Sequence, residues 1–455
     1  MEENLISGKY KNVVDYNEGR IFNEYHSKFG IGGDKGAAIY PQREMLNLQL
    51  QNLYSNQHND VIDALKWFWE NASDISLVLT DENLRYLVDT LNCEVKEVQK
   101  WINNLFRRIF GTKKRNNFLI SCNIIPIMVD HFYNSYYIDA FSILAHDFAA
   151  RPHIINQNIF ETVLSCLKND PDELAIEGLA TIMDGVLQYE LLDDSFIDII
   201  NDIFDELIRF LGLCEYETIR QICYAFRDYV ESNPHFLLHF IQNDMIEPFF
   251  LIKDSEPDQD AGNIILRMCS VIINKSSEGA EYLLKNNVLA YAEEVFLSQI
   301  DEDRSLSLDM FRDLLNALPS LVETLIEMDI MQMACDMLNI RGISLCVIHS
   351  SLRFVITMLN ISSSEQNYSI INTYPNAYIF LASNIMILEE NDEEDAIKAL
   401  STISQMTNHH SYESIMRNFQ GDAEFVDWLD SMRFNHSSTV AAHATFLLKL
   451  MKNDE

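Results

Sequence analysis

The sequence predicts an all-α fold of stacked helices, a solenoid, and three observations point to it. First, a short apolar helical segment, a turn, a longer helical segment and a break recur roughly every 35 to 50 residues. The repeats open at Leu84, Ile124, Ile159, Phe196, Met245, Val288, Ile330 and Ala377, and apolar residues then follow at helical spacing, as in Leu84, Leu87, Val88 and Leu91. Second, 455 residues contain only 9 Pro and 14 Gly, while Leu, Ile, Met, Asn and Glu fill long stretches, a composition that favours helices over strands. Third, no Pro/Gly/Ser-rich linker divides the chain after its first forty residues. One core, continuous from neighbour to neighbour, is therefore expected instead of several closed ones.

Residues 1–41 stand apart. Glycines cluster at Gly30, Gly32, Gly33 and Gly36 and no helical period persists, so this stretch reads as a flexible or loosely packed lead-in. Its aromatics Tyr10, Tyr16, Phe22, Tyr25 and Phe29 could instead dock on the first repeat and cap its apolar end. Residues 42–455 read as the repeat domain. Helices start with Met45, Leu46, Leu50 and Leu53 and continue through Val61 to Trp69; the last closes with Phe446, Leu447, Leu450 and Met451. In between, Cys122-Asn-Ile-Ile-Pro-Ile-Met-Val-Asp-His-Phe132 places a proline near a helix start, where its missing N–H costs nothing. A second helix is predicted from about Tyr137 to Ala150. Arg151 to Asn158 supplies a break, and Ile159-Phe-Glu-Thr-Val-Leu-Ser-Cys-Leu167 starts the next unit. The same pattern returns at Asn286-Asn-Val-Leu-Ala-Tyr-Ala-Glu-Glu-Val-Phe296 and at Met328-Asp-Ile-Met-Gln-Met-Ala-Cys-Asp-Met-Leu338.

These residues resemble the armadillo repeat: an Ile-Ile-Pro-x-apolar-Val entry, a longer helix of small and apolar residues, and an Asn-rich turn before the next entry. The resemblance covers roughly residues 42 to 451. It implies a right-handed superhelical α-solenoid of about eight or nine repeats that binds a protein or peptide along a groove. In that family an Asn on the groove-lining third helix bonds the bound peptide's backbone, and a Trp one turn earlier packs on its side chains. By position, the resemblance puts the Asn site on Asn71, Arg108, Asp147, Asp184, Asp228, Asn274, Asn316, Asn360 and Asn408, and the Trp site on Trp67. Elsewhere the Trp is replaced: Tyr224 precedes Asp228 and Ile356 precedes Asn360. This departs from an importin-α-like adaptor for basic peptides, and the lead-in lacks the basic segment such adaptors carry. Asn offers donor and acceptor to an extended strand, whereas Asp offers only acceptors and favours Lys or Arg in the partner. Helix capping is the competing role for the same residues.

The formal charge is -36, from 69 acidic and 33 basic residues, so most of the surface repels phosphate backbones and anionic lipid, and a nucleic-acid partner is not expected. The acidic runs Asp193–Glu206 and Glu389–Asp395 read as solvated faces or as an attraction for a basic peptide. One basic cluster interrupts them: Arg107, Arg108, Lys113, Lys114 and Arg115 bracket Gly111 and could seat an acidic or phosphorylated segment. Together with Trp67, Trp69 and Trp101 it gives the first repeats the residue types of interaction hot spots. Eight cysteines without a Cys-x-x-Cys pair read as reduced core residues. No signal-like start and no run of eighteen apolar residues occurs, so a cytoplasmic, possibly also nuclear, protein without membrane insertion is expected.

Catalytic constellations are weak. Gly30-Ile-Gly-Gly-Asp-Lys-Gly36 lacks the order of a phosphate loop. His235 and His239 lie four apart, with Asp244 and Glu247 downstream, but Phe236 stands where a zinc protease helix has Glu. His146-Asp147, Cys346 with His349, and His409-His410 lack an evident third partner. A non-enzymatic binding protein with no cofactor and no metal is the expectation, and a His-based enzyme or regulatory subunit is the alternative of another class.

Overall fold

In a computed structural model the described residues, 43–71, 78–188, 193–252, 261–298, 300–340, 342–374, 395, 397–399, 423–435 and 438–452, are helices and turns, with no strand among them. The predicted lead-in, the repeat opening at Ala377, Asn408 and the His409-His410 pair lie outside these residues. The chain's contacts divide it into two compact units, Met1–Ile203 and Phe204–Glu455.

The first unit opens with α1 (Arg43–Asn52) and α2 (His58–Asn71), followed by α3 (Asp81–Thr90) and α4 (Lys96–Gly111). A complete three-helix repeat then follows: α5 (Asn116–Ser121), α6 (Ile124–Val129) and α7 (Ser135–Ala145). The next is α8 (Arg151–Ile155), α9 (Ile159–Lys168) and α10 (Glu173–Leu187). The division between the units falls within α11 (Ile197–Leu207), the second helix of a repeat whose third helix is α12 (Tyr216–Ser232). In the second unit come α13 (Pro234–Gln242), α14 (Glu247–Phe250) and α15 (Ala261–Lys275), then α16 (Ser277–Lys285), α17 (Val288–Phe296) and α18 (Asp301–Ala317). Finally come α19 (Val322–Glu327), α20 (Ile330–Asn339), α21 (Leu345–Ile361) and α22 (Ser364–Thr373), and, further on, the paired α23 (Ala423–Asn435) and α24 (Ser438–Lys452).

In five repeats a left-handed residue turns the first helix into the second. Asn123, Asn158, Asp244, Asn287 and Asp329 have φ of 66°, 52°, 55°, 65° and 57°. Asn and Asp tolerate this region because their short side chains bond locally, where most L-residues clash. Each is followed by an apolar residue, Ile124, Ile159, Met245, Val288 or Ile330, that is buried at the start of the next segment. Five of the predicted repeat openings therefore mark the same structural event. Leu84 lies inside α3 and Phe196 closes a single 3-10 turn, Asp194–Phe196.

The longer third helices form the stacked core. In the first unit α2, α4, α7 and α10 pack in succession; in the second, α12, α15, α18 and α21 do the same. Every residue of α10 from Gly178 to Leu187 is buried, as expected of a helix enclosed by neighbours on all sides. The α7–α10 contact is very close: a Cβ at Gly185 would lie 2.8 Å from the carbonyl carbon and oxygen of Ala145. Buried polar side chains finish the turns. Gln99 donates to the carbonyls of Leu91 and Cys93 at 3.3 and 2.8 Å, and the Tyr137 hydroxyl donates to Leu91 at 2.7 Å. The core of the second unit opens with an aromatic stack, Phe204 on Tyr229 at 4.0 Å and Tyr229 on Phe236 at 4.9 Å, both within 18° of parallel.

One boundary differs from expectation. The helix predicted to reach Ala150 ends at Ala145, because Asp147 accepts a hydrogen bond from the Ala149 N–H at 2.9 Å and forms a local turn that competes with the helix.

Gly185→Ala tests the close packing. Alanine would ordinarily stabilise a helix interior by about 1 kcal/mol, but the clash with the Ala145 backbone should cost about 1–3 kcal/mol. A lower melting temperature is expected for this variant, and none for Gly111→Ala, where a Cβ meets nothing within 4 Å; thermal unfolding followed by circular dichroism reads both.

Candidate functional site

The residues picked out for a groove ladder fall on or just beyond the ends of the third helices, and most bond within the chain. Asn71, the last residue of α2, donates to its own helix at the Trp67 carbonyl, 3.0 Å away. Arg108 donates to the Trp69 carbonyl and lies 5.2 Å over the Trp69 ring. Asp147 sits past the end of α7, where it also accepts from the Asn116 amide. Asp184 is buried in α10, 3.8 Å from Nε2 of His146. Asp228 is buried in α12 and accepts from Nε and Nη2 of Arg227 at 2.8 and 2.6 Å. Asn274 of α15 donates to Asp313 of α18 at 3.1 Å, and Asn360 of α21 donates to the Asp395 carbonyl at 3.0 Å. Asn316 is exposed in the last turn of α18.

The basic cluster divides in the same way. Arg107 reaches Asp139 of α7 at 2.9 Å, Arg108 turns back to α2, Arg115 pairs with Asp81 at the start of α3, and Lys113 and Lys114 are exposed in the turn. Adjacent Arg107 and Arg108 thus bridge opposite neighbours of α4.

What the spacing did not reveal is an array of aromatic rings and cations on three successive third helices. Lys66 of α2 places Nζ 5.5 Å from the Trp101 ring of α4, and Lys100 of α4 places Nζ 5.1 Å from the Tyr136 ring of α7. With Arg108 over Trp69, three cation–aromatic contacts span the two steps between these helices, two from α2 to α4 and one from α4 to α7. Lys66, Trp67, Trp69, Lys100, Trp101 and Tyr136 are all half-buried, so the array is open to solvent on one side. The Trp101 indole N–H donates to Glu97 at 3.1 Å, which fixes the ring. Its trace in the sequence is the parallel displacement of Lys66 to Lys100 and of Trp101 to Tyr136 by one repeat, visible only once the third helices are aligned.

His235 and His239 do not gather a site with the acids downstream of them. His239 Nε2 lies 3.0 Å from Asp205 of α11, not beside the downstream acids, and the backbone N–H of His235 donates to the capping side chain of Asn233 at 2.9 Å. Among the described residues no group of three or more His, Cys, Asp or Glu could hold a metal ion. Cys346 is exposed, with Sγ 3.0 Å from the Ser344 hydroxyl. All eight cysteines are free thiols, but only Cys223, Cys269 and Cys335 are buried, where burial pushes the Cys335 thiol up to about 12. No helix among the described residues is long and apolar enough to cross a membrane.

Asp139 is the titratable group at the centre of the α4–α7–α10 contact. Burial raises its carboxyl from 3.8 to about 6, against the pull of Arg107 and with Glu177 adding to the rise. The folded state therefore holds this proton more tightly than the unfolded chain. Its stabilisation is complete below about pH 4 and is lost as pH rises through 6. Melting temperature should rise from pH 7 to pH 5 by more in the parent than in Asp139→Asn; equal gains in the two proteins would contradict the assignment.

No protein-family model and no curated protein matches the chain. Among solved structures, an engineered protein from a structural genomics consortium is 14% identical, with 90% of this chain and 98% of that chain covered and a TM-score of 0.71. A second engineered protein from the same source is 13% identical over 51% of this chain and 98% of its own, with a TM-score of 0.45. A designed armadillo repeat protein is 15% identical over 52% of this chain and 99% of its own, also with a TM-score of 0.45. With its succession of short, intermediate and long helices and its stacked third helices, the chain has an armadillo-like, all-α helical-repeat fold.

Proposed function

We propose that the chain is a non-enzymatic protein-interaction scaffold, and that the third-helix face of its first unit receives an extended, acidic peptide segment. The observation that supports this is the solvent-open array of Lys66, Trp101, Lys100 and Tyr136 across α2, α4 and α7. Rigid aromatic faces are hot-spot material, and lysines poised on them offer donors to carboxylates and peptide carbonyls. Helix α4 carries Lys96, Lys100, Arg107 and Arg108 against the single acid Glu97, on a chain that is otherwise strongly acidic.

Geometry suggests the register. Packed helices lie about 8–10 Å apart, and a polyproline-type segment returns to the same face every three residues, about 9.3 Å along. An acidic residue at every third position would therefore meet successive third helices. The runner-up, a basic segment on the Asp positions, has less in its favour: Asp184 and Asp228 are buried beside His146 and Arg227.

A fluorescein-labelled Glu-Pro-Ala repeat peptide and its Lys-Pro-Ala counterpart distinguish the two by anisotropy. The Glu peptide should bind the full chain, lose at least tenfold in affinity on Trp101→Ala, and be indifferent to Asp228→Asn. Preference for the Lys peptide, abolished by Asp228→Asn, would overturn the reading in favour of the basic-segment one.

A further inference from the structure

Large apolar side chains are left exposed at one recurrent place in the second unit, where each second helix ends. Leu251, Leu297 and Ile340 are the residues immediately after α14, α17 and α20, and Leu213 lies in the corresponding turn before α12. Their exposures are 79% for Leu213, 72% for Leu251, 67% for Leu297 and 46% for Ile340. One residue comes from each of four successive repeats. A single exposed leucine is ordinary, but a leucine or isoleucine at the same turn of each repeat forms a ridge. In the first unit the residues closing α6 and α9 are polar, Asp130 and Asn169, and the exposed side chain in the turn before α7 is the aromatic Tyr133, 78% exposed, instead of a leucine or isoleucine.

Each ridge residue has an exposed carboxylate within four residues along the chain, namely Glu215 by Leu213, Glu247 by Leu251, Glu294 by Leu297 and Asp336 by Ile340. Apolar positions flanked by acids call for a partner with apolar positions flanked by bases. The spacing selects its conformation. Neighbouring repeats are separated by roughly the helix-packing distance of 8–10 Å, and on an α-helix residues i and i+7 lie about 10.5 Å apart on nearly one face. A strand repeats the same face about every 6.6 Å and falls out of step.

We propose that this ridge docks an amphipathic α-helix of another protein, with leucine-class residues at heptad spacing and lysine or arginine beside them. The helix lies along the edge formed by the turns after the second helices, each apolar residue entering the gap between successive ridge residues. This surface is separate from the third-helix face of the first unit and stands or falls independently of it.

The test uses the full chain and three synthetic 21-residue helical peptides: one with Leu at heptad positions and Lys on either side, one with the same composition scrambled, and one with Glu in place of Lys. The first should bind in a fluorescence anisotropy titration. The other two should bind at least tenfold more weakly. Leu251→Ser/Leu297→Ser should weaken the first peptide at least tenfold with an unchanged circular dichroism spectrum and melting temperature, since both side chains are exposed. Equal binding of the scrambled peptide, or undiminished binding to the double variant, overturns the proposal. So does a parent chain that sediments as a dimer and becomes monomeric in the double variant, because the ridge would then be covered by a second copy.

Discussion

The structure depends on one constraint: a repeat cannot bury its longest helix by itself. Helix α10 shows this most directly. Its residues Gly178 to Leu187 present no exposed side and include Asp184 and Thr181, so a single repeat left in water would expose apolar surface wherever its own short helices do not cover α10. Each buried Leu, Ile or Met side chain is worth about 1.5–3 kcal/mol, and that energy appears only when a neighbouring third helix arrives. The glycine contact of α10 with Ala145 follows from the same need, because two helices that must share a core gain from approaching until backbone meets backbone. Stability is then set by the interfaces between repeats.

The repeat was legible because its turn chemistry is written in single residues. Asn123, Asn158, Asp244, Asn287 and Asp329 are the types that tolerate positive φ, and each precedes the apolar residue that starts the next segment. Periodicity alone located those apolar residues. It did not locate the end of α7, because the stop is made by a side chain: Asp147 could have continued the helix and instead bonds Ala149. The exposed ridge was invisible for a related reason. Nothing in the linear pattern sets Leu213, Leu251, Leu297 and Ile340 apart from other apolar residues, and only the placement of the turn shows that they face water.

The third-helix surface was legible in residue type and not in direction. Arg107 and Arg108 were recognised together as a patch, yet one faces α7 and the other returns to α2, a choice set by 100° of helical rotation between consecutive residues. Trp67 was chosen from the family pattern, whereas the rings of the first unit that meet cations from a neighbouring third helix are Trp69, Trp101 and Tyr136; in the second unit Tyr224, at the family's Trp position, lies 5.4 Å from the Arg227 guanidinium of its own helix. A pairing of this kind needs two residues about one repeat apart, and the unequal repeat lengths hide it until the helices are superposed.

The Asp positions of the second unit show why a ladder of carboxylates on a -36 chain need not attract cations from outside. Phe226-Arg227-Asp228 on α12 recurs as Phe311-Arg312-Asp313 on α18. In both, the phenylalanine is fully buried, and the arginine bends onto the neighbouring carboxylate, at 2.6 Å in one and 2.9 Å in the other. Consecutive helical residues normally diverge, so the bend costs the arginine its reach into solvent. What it gains is the neutralisation of a carboxylate that is less than a tenth exposed, which would otherwise bear the desolvation penalty of an unpaired buried charge. Asn274 then donates to Asp313 from the neighbouring third helix, so the same carboxylate also joins α15 to α18. A basic segment arriving at Asp228 or Asp313 would have to displace a guanidinium already held at bonding distance. The electrostatic advantage of these sites is therefore spent inside the stack.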